Sequence, residues 1–410
     1  MATPETFVVV GGGQAAGRAV EAMRGAGFEG RIVLVGAETF PPYERPPLSK
    51  RLLIDDAAPI EGCALFEPAF YERERIELRL GVAAVAIDPA ARRLRLADGA
   101  TLAYDKLLIA TGARVRRLDL PGADLDGVLY LRAIPDALAL RRRLRPDTRV
   151  GVIGGGFIGL EVAAAARARG ARVTILEVAD RVLQRGVGAE IAAFVAGLHR
   201  ARGVEIHTGV TVSGLAGEGG RVASITCENG LRVAADVVLV GVGVRPNDDL
   251  AAAAGLAVDN GVVVDAHGRT SDARIFAAGD VTNHPSPHLG RRVRLESWAN
   301  AQDQAIAAAR TMAGVPTEHA KLPWFWSDQY DVNLQIAGLP EHWDATITRG
   351  DPGNGAFIVF YLVENAVVGA AAINRPRDLR LARKLIESGR SVDAAVLADE
   401  TVPLKTIAAG

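Results

Sequence analysis

Two stretches of the chain have the residue types and spacing to hold a phosphate. Residues 7–24 read FVVVGGGQAAGRAVEAMR and residues 150–161 read VGVIGGGFIGLE. In each, a run of β-branched residues enters a turn of glycines that opens a helix. Small residues at G-x-G-x-x-G/A spacing have separate steric duties. One makes the tight turn, one lets the backbone approach a pyrophosphate, and one lets helix and strand pack closely. These positions are Gly11, Gly13 and Ala16 in the first copy and Gly154, Gly156 and Gly159 in the second. The start of the helix adds unpaired N–H groups and a partial positive charge. Glu38 and Glu177 follow at the ends of the next strands, 22 and 18 positions past the third small residue. A carboxylate there accepts hydrogen bonds from ribose hydroxyls. One glycine-rich turn is a weak signal. Strand, turn, helix and acid in the same order twice predict two dinucleotide sites. Glu177 would repel a 2′-phosphate, so the second site is expected to prefer NADH over NADPH.

Other chemistries leave no trace. The two cysteines, Cys63 and Cys227, form neither a C-x4-C nor a C-x2-C pair. They argue for a reducing, cytoplasmic setting rather than a disulfide scaffold. No His/Cys cluster has metal-ligand spacing, and there is no Gly-x-Ser-x-Gly elbow. A formal net charge of −1 gives no electrostatic reason to expect nucleic acid or an anionic membrane. The longest apolar run, VVLVGVGV at 237–244, is far too short to span a bilayer. No signal-peptide pattern opens the chain.

The elements that must position these residues alternate. FVVV, a helix and RIVLVG (31–36) make the first βαβ unit. A proline-rich stretch, AETFPPYERPPLSKRLL, follows and reads as neither continuous helix nor central strand. Next come a hairpin turning at Asp98–Gly99 and a buried strand. The second unit has RVGVIGG, the helix LEVAAAARARG and RVTILEV, and closes with ADVVLVGVG. An Ala-rich helix is expected from about Ser297 to Met312, then hairpin-like strands from KLPWFW at 321, then a helix near 378–388. The fold class is α/β, with two Rossmann-like dinucleotide-binding domains and a C-terminal α+β domain. The expected division is 1–117 with 244–320, 118–243, and 321–410.

The ordered set GGGQAA, PYERPPLSK, LLIATGA, VIGGGFIGLE and IFAAGDV resembles the flavoprotein reductases with two dinucleotide-binding domains. RPPLSK, SWANAQ and PWFWSDQ resemble more narrowly the ferredoxin (redoxin) reductase components of bacterial aromatic-ring dioxygenases and haem monooxygenases. The resemblance implies FAD held by Gly11, Gly13, Ala15, Ala16, Ala37, Glu38, Lys50, Val82, Thr111, Gly112, Arg132, Asp280, Trp298 and Trp326. Ala37 stands where relatives often carry an acid, which leaves Glu38 as the expected ribose contact. NADH would be held by Gly154, Gly156, Phe157, Ile158, Gly159, Glu161 and Glu177, with Gly241 and Gly243 closing the pocket. No metal is implied.

Several residues keep two readings. Asp280, at the end of RIFAAGD, suits the ribityl chain of FAD or a turn cap. Ser297 is a helix N-cap, or begins a helix whose N-terminus faces the pyrimidine end of the flavin. Glu161, read in the first turn of its helix, is favoured there by the dipole alone, and Lys50 is also an ordinary surface lysine by type. In similar reductases the two pair beside the flavin. Trp324 is divided between core and site, and Trp343 reads as packing alone. Arg141–Arg145 (RRRLR) reads as a solvated helix face, or as a basic patch for an acidic partner.

The resemblance implies hydride transfer from NADH to FAD and single electrons passed to a 2Fe-2S ferredoxin that feeds a terminal oxygenase. Relatives that relay through thiols carry a cysteine pair, or one cysteine after the first turn. The stretch 38–50 has none. Two alternatives remain open at this point. One is a reductase for rubredoxin, a quinone or monodehydroascorbate. The other is a redox-sensing flavoprotein whose assembly responds to NADH.

Overall fold

Alternation along Thr6–Val10 builds the first sheet from both faces at once. Phe7 and Val9 enter one core with Ile32, Leu34, Leu108 and Phe276. Val8 and Val10 enter the other with Val33, Val35, Leu107 and Ile109. A strand apolar on both faces needs a cover on each, and this is the pattern of a parallel sheet. The five strands lie in the order Ile275–Ala277, Lys106–Ile109, Thr6–Val10, Arg31–Gly36, Ile76–Leu80, all parallel. Helices Gln14–Gly25 and Trp298–Met312 cover the first face through Ala16, Ala19, Ala305 and Ala308. The hairpin strands Arg93–Leu96 and Thr101–Ala103 cover the second through Leu94, Leu96 and Leu102, with Gly99 in the turn at φ +88°.

The computed structural model describes residues 5–339 and 341–409. Its chain packs as two compact units. The first comprises residues up to Arg45, Ile60–Arg114 and Val244–Pro323. The second comprises Pro46–Pro59, Val115–Gly243 and the chain from Trp324 onward.

The second unit repeats the plan. Its parallel sheet runs Val204–His207, Arg172–Leu176, Arg149–Ile153, Val237–Val240, Val128–Leu129. Helix Phe157–Ala168 follows the glycine turn. Gly151 is required in the central strand, since a Cβ there would lie 2.4 Å from Ile225 of the antiparallel sheet packed over it. The unit also holds a five-stranded antiparallel sheet in the order Trp324–Gln329, Val332–Ala337, Ala366–Ile373, Ala356–Val363, Ala345–Asp351. Helix Pro376–Ser388 buries Leu379, Ala382 and Leu385. Among the described residues no helix is long and apolar enough to cross a membrane.

The proline-rich excursion matters most for the site. It folds as a 3-10 turn, Pro46–Ser49, and one helical turn, Arg51–Ile54. Such short pieces have little stability of their own. Two arginines hold this one. Arg169 donates to the carbonyls of Leu53 (3.1 Å) and Ile54 (3.0 Å) and grips the Asp56 carboxylate at 2.9 Å. Arg141 donates to the carbonyls of Leu52, Asp55 and Ala58. The basic run 141–145 is therefore no uniformly solvated face. Arg141 ties down the excursion, and Arg143 pairs with Asp126 at 2.6 Å. Replacing Arg169 by alanine leaves the carbonyls of Leu53, Ile54 and Leu144 without this donor. We expect a loss of about 2–3 kcal/mol from the second unit and faster amide exchange across residues 50–58. Unchanged exchange there would show that the excursion holds itself.

Candidate functional site

The first glycine turn is shaped by what a side chain would strike. At Gly11, with φ +141°, a Cβ would lie 2.1 Å from the Ala110 carbonyl oxygen. Gly13 N-caps helix Gln14–Gly25 without a side-chain hydrogen bond. Close packing falls on Gly17 rather than on Ala16 alone, because a Cβ on Gly17 would meet Leu65 at 2.4 Å and Pro42 at 2.9 Å. Ala15 and Ala16 are buried. Arg45 reaches the turn, its Nη2 lying 3.9 Å from where a Gly13 Cβ would be.

Around this turn the expected residues carry internal duties. The Glu38 carboxylate accepts from Tyr43 Oη at 2.6 Å and from Arg45 at 3.0 Å. Ala37 is exposed, and Val82 donates its N–H to the Gly36 carbonyl. Thr111 donates its hydroxyl to the Asn247 carbonyl at 2.8 Å, and the Asn247 N–H bonds to Gly112. Asp280 follows strand Ile275–Ala277, where Gln304 of helix Trp298–Met312 fixes the turn. The Gln304 side-chain oxygen accepts from the Gly279 N–H and from the Thr282 hydroxyl, both at 2.8 Å. Ser297 is the N-cap, accepting from the Asn300 N–H. Trp298, next in the chain, donates to the Glu44 carboxylate at 3.2 Å. Arg132 belongs to the second unit, ahead of helix Ile134–Arg143.

In the second turn Gly154 has φ +106°, and a Cβ would meet the Gly241 carbonyl at 2.5 Å; a Cβ on Gly159 would meet the Gly154 carbonyl at 2.1 Å. Gly156 differs. It N-caps helix Phe157–Ala168 at φ −82°, and a Cβ would meet nothing within 4 Å. The fold does not demand glycine there, but a guest drawn close to the backbone would. Gly243 has φ +96°. The Glu177 carboxylate accepts from the backbone N–H of Gly155 (2.6 Å) and of Ala179 (2.8 Å), leaving lone pairs for further donors. Phe157 packs edge-on against Phe325 at 4.8 Å, and Ile158 is exposed.

Lys50 and Glu161 meet. Lys50 Nζ lies 2.7 Å from Glu161 Oε2. Because the helix begins at Phe157, Glu161 sits in its second turn. The first-turn position expected from the sequence is corrected, and the dipole alone does not account for this acid. Glu161 is only 5% exposed, and a buried carboxylate needs donors as well as a counter-charge. Ser49 donates to Oε2, and Ser327 donates to Oε1 at 2.7 Å. Behind Ser327 stand Gln329 (3.0 Å), His199 (2.8 Å from Gln329) and Tyr330 (3.2 Å from His199). Burial pushes the His199 imidazole below its usual range, against the opposing effect of the Gln329 bond.

Strand Trp324–Gln329 serves two sides. Trp324 and Trp326 stack at 5.3 Å and stay half-exposed, whereas Ser327 and Gln329 are buried. Trp326 donates to Asp328 at 3.1 Å, and Trp343 packs against Tyr361. Cys63 and Cys227 are buried, and no disulfide joins them. Among the described residues no cluster of His, Cys, Asp and Glu has the makings of a metal site. Sequence reasoning missed Arg45, Ser49, His199, Gln304, Ser327 and Gln329. All but His199 lie within or beside the narrow motifs.

Known proteins share this sequence and fold. The family model described as pyridine nucleotide-disulphide oxidoreductase matches residues 5–305, and a reductase C-terminal model matches 324–408. The chain is 48% identical to the anthranilate 1,2-dioxygenase system ferredoxin–NAD(+) reductase component of Burkholderia cepacia, covering 98% of this chain and 99% of that one. It is 41% identical to putidaredoxin reductase of Pseudomonas putida, over 99% and 97% of the two chains. The structure of a covalent putidaredoxin reductase–putidaredoxin complex superposes with a TM-score of 0.95 at 40% identity, covering 99% and 98%. A matching family model over most of the chain, a matching C-terminal model and full-length relatives agree, and the chain belongs to the pyridine nucleotide-disulphide oxidoreductase family, in the branch that carries the reductase C-terminal domain.

Proposed function

We propose that this protein is an NADH-oxidising, FAD-containing ferredoxin reductase serving an oxygenase. The observation that carries the reading is the Lys50–Glu161 pair, whose acid stands on the helix that opens from the second glycine turn. It sets a buried, hydrogen-bonded charge pair one helical turn from a phosphate cradle, on a chain with no cysteine pair to relay electrons. Full-length likeness to a ferredoxin–NAD(+) reductase component supports the acceptor class. Bound FAD would supply the chemistry that takes electrons in pairs and releases them singly.

The residues present fit both cofactors. Gly13, Ala15 and Ala16 leave backbone N–H groups at a helix start for a pyrophosphate, Gly11 makes the turn with its own N–H on the Val35 carbonyl, and Arg45 brings a guanidinium beside them. Glu38 would accept from a ribose, and Asp280 from a polyol chain. Gly154, Gly156, Gly159 and Glu177 offer the same set to NADH, with Gly241 and Gly243 as its wall. Lys50 would orient the nicotinamide end while Glu161 holds the ammonium in place. Trp298 and Trp326 would shield the reactive rings. We further propose the functional division 1–117 with 244–320 for FAD, 118–243 for NADH and 321–410 for the partner.

The decisive experiment is anaerobic stopped-flow reduction by NADH, followed by turnover with a purified 2Fe-2S ferredoxin, a rubredoxin and a quinone. Many turnovers per flavin are expected with the ferredoxin alone. Turnover confined to another acceptor would reject the ferredoxin assignment. Lys50→Ala should slow flavin reduction at least tenfold while the purified protein stays yellow, and an unchanged rate would remove Lys50 from the site. Gly156→Ala should change unfolding stability by no more than about 1 kcal/mol yet weaken NADH binding tenfold or more. Calorimetric titration separates that result from simple misfolding. Gln304→Leu leaves the Gly279 N–H without its acceptor and the Thr282 hydroxyl with only the Gly279 carbonyl at 2.9 Å. It should cost about 1–3 kcal/mol and raise the dissociation constant for FAD, read by fluorescence on dialysis.

A further inference from the structure

The chain of hydrogen bonds behind Glu161 has a direction, and one charge fixes it. A carboxylate can only accept. Ser327 must therefore donate to Glu161 Oε1 across 2.7 Å. Having spent its proton there, Ser327 Oγ accepts from the Gln329 amide NH2 at 3.0 Å. The amide oxygen of Gln329 then faces His199 and must accept, so His199 Nε2 carries its proton across 2.8 Å. His199 Nδ1 is left as the acceptor for the Tyr330 hydroxyl at 3.2 Å. The reverse order would turn the Ser327 hydroxyl towards Gln329 and leave Glu161 Oε1 without this donor. Four bonds thus run head to tail, every donor aimed at Glu161, and aligned bonds in a dry interior polarise one another.

The far end is anchored at a backbone position that resists it. Tyr330 and Asp331 form the two-residue turn between paired Gln329 and Val332, and Tyr330 has φ +56°. Glycine and asparagine adopt that conformation readily, whereas a bulky ring is an outlier that its surroundings must hold. The holds are visible. The Arg202 guanidinium lies 4.9 Å from the Tyr330 ring centroid, Arg202 pairs with Asp331 at 2.7 Å, and the Tyr330 ring packs on His199 at 5.1 Å. Ser327 and His199 are fully buried, and Gln329 nearly so.

We propose that Ser327, Gln329 and His199 are positioning residues for flavin reduction. Through this one-way chain they fix the rotamer of Glu161 and, with it, the ammonium of Lys50. The inference rests on the reading of Lys50 and Glu161 above. The antiparallel sheet thereby contributes to the NADH half-reaction as well as to any contact with the acceptor.

Two measurements test it. Gln329→Glu keeps the shape but replaces the donor with acceptors, so Ser327 turns away from Glu161. Stopped-flow reduction should then be about tenfold slower at saturating NADH, with the NADH dissociation constant within twofold of wild type, and Ser327→Ala should do the same. Wild-type rates in either variant would overturn the proposal. Side-chain 15N NMR of the oxidised protein labelled at histidine reports the His199 tautomer without turnover, and in wild type it needs no variant to fold. Neutral Nε2–H is expected, and Nδ1–H would overturn the direction of the chain. If Lys50→Ala reduces normally while His199 shows the expected tautomer, the functional reading of the pair has failed and the chain's direction has not.

Discussion

A carboxylate taken out of water has to be matched on every side, and Glu161 is matched by three side chains from two separate parts of the sequence. Lys50 and Ser49 come from the proline-rich excursion, and Ser327 comes from the antiparallel sheet. None of these elements would adopt its position for its own sake. The excursion is two short helical turns held by arginines on its carbonyls, and the sheet strand ends at a strained tyrosine. The desolvation cost of one charge is offset only when all the partners arrive together. That requirement makes the ion pair weak evidence for stability and good evidence for a precise site.

The two glycine turns show the same economy in steric form. Gly11, Gly154 and Gly159 are dictated by backbone that lies where a Cβ would go, so the fold alone requires them. Gly156 is not dictated in this way, and its freedom points outward, to a ligand. Positions of the two kinds look alike in a motif and differ in cause.

Much of this was legible beforehand because period and punctuation are local properties. Both parallel sheets, the hairpin at Gly99 and the helix ending at Met312 follow from apolar runs and turn residues. Lys50 and Glu161 were named from motif resemblance, and the pair is formed. The sequence misplaced Glu161 by a helical turn, because Gly156, Phe157 and Ile158 mask a helix start that carries no side-chain cap. It also left Arg141–Arg145 as a solvated face or a basic patch for a partner, since charge runs reveal nothing about carbonyls brought from elsewhere. His199 gave no signal at all. It is a single histidine in an apolar helix, and its partner is 130 positions away. Long-range polar chains of this kind follow from tertiary packing, which no window along the sequence contains.

The excursion 46–59 is threaded between two segments of the first unit yet packs in the second. Anyone building hybrids from two such reductases would be misled by primary order. A graft of the first nucleotide-binding module taken as one uninterrupted N-terminal block would import a foreign lysine and serine to face a resident glutamate. The compatible seam lies at Arg45 and Ile60, and the loop between them travels with the helix it serves.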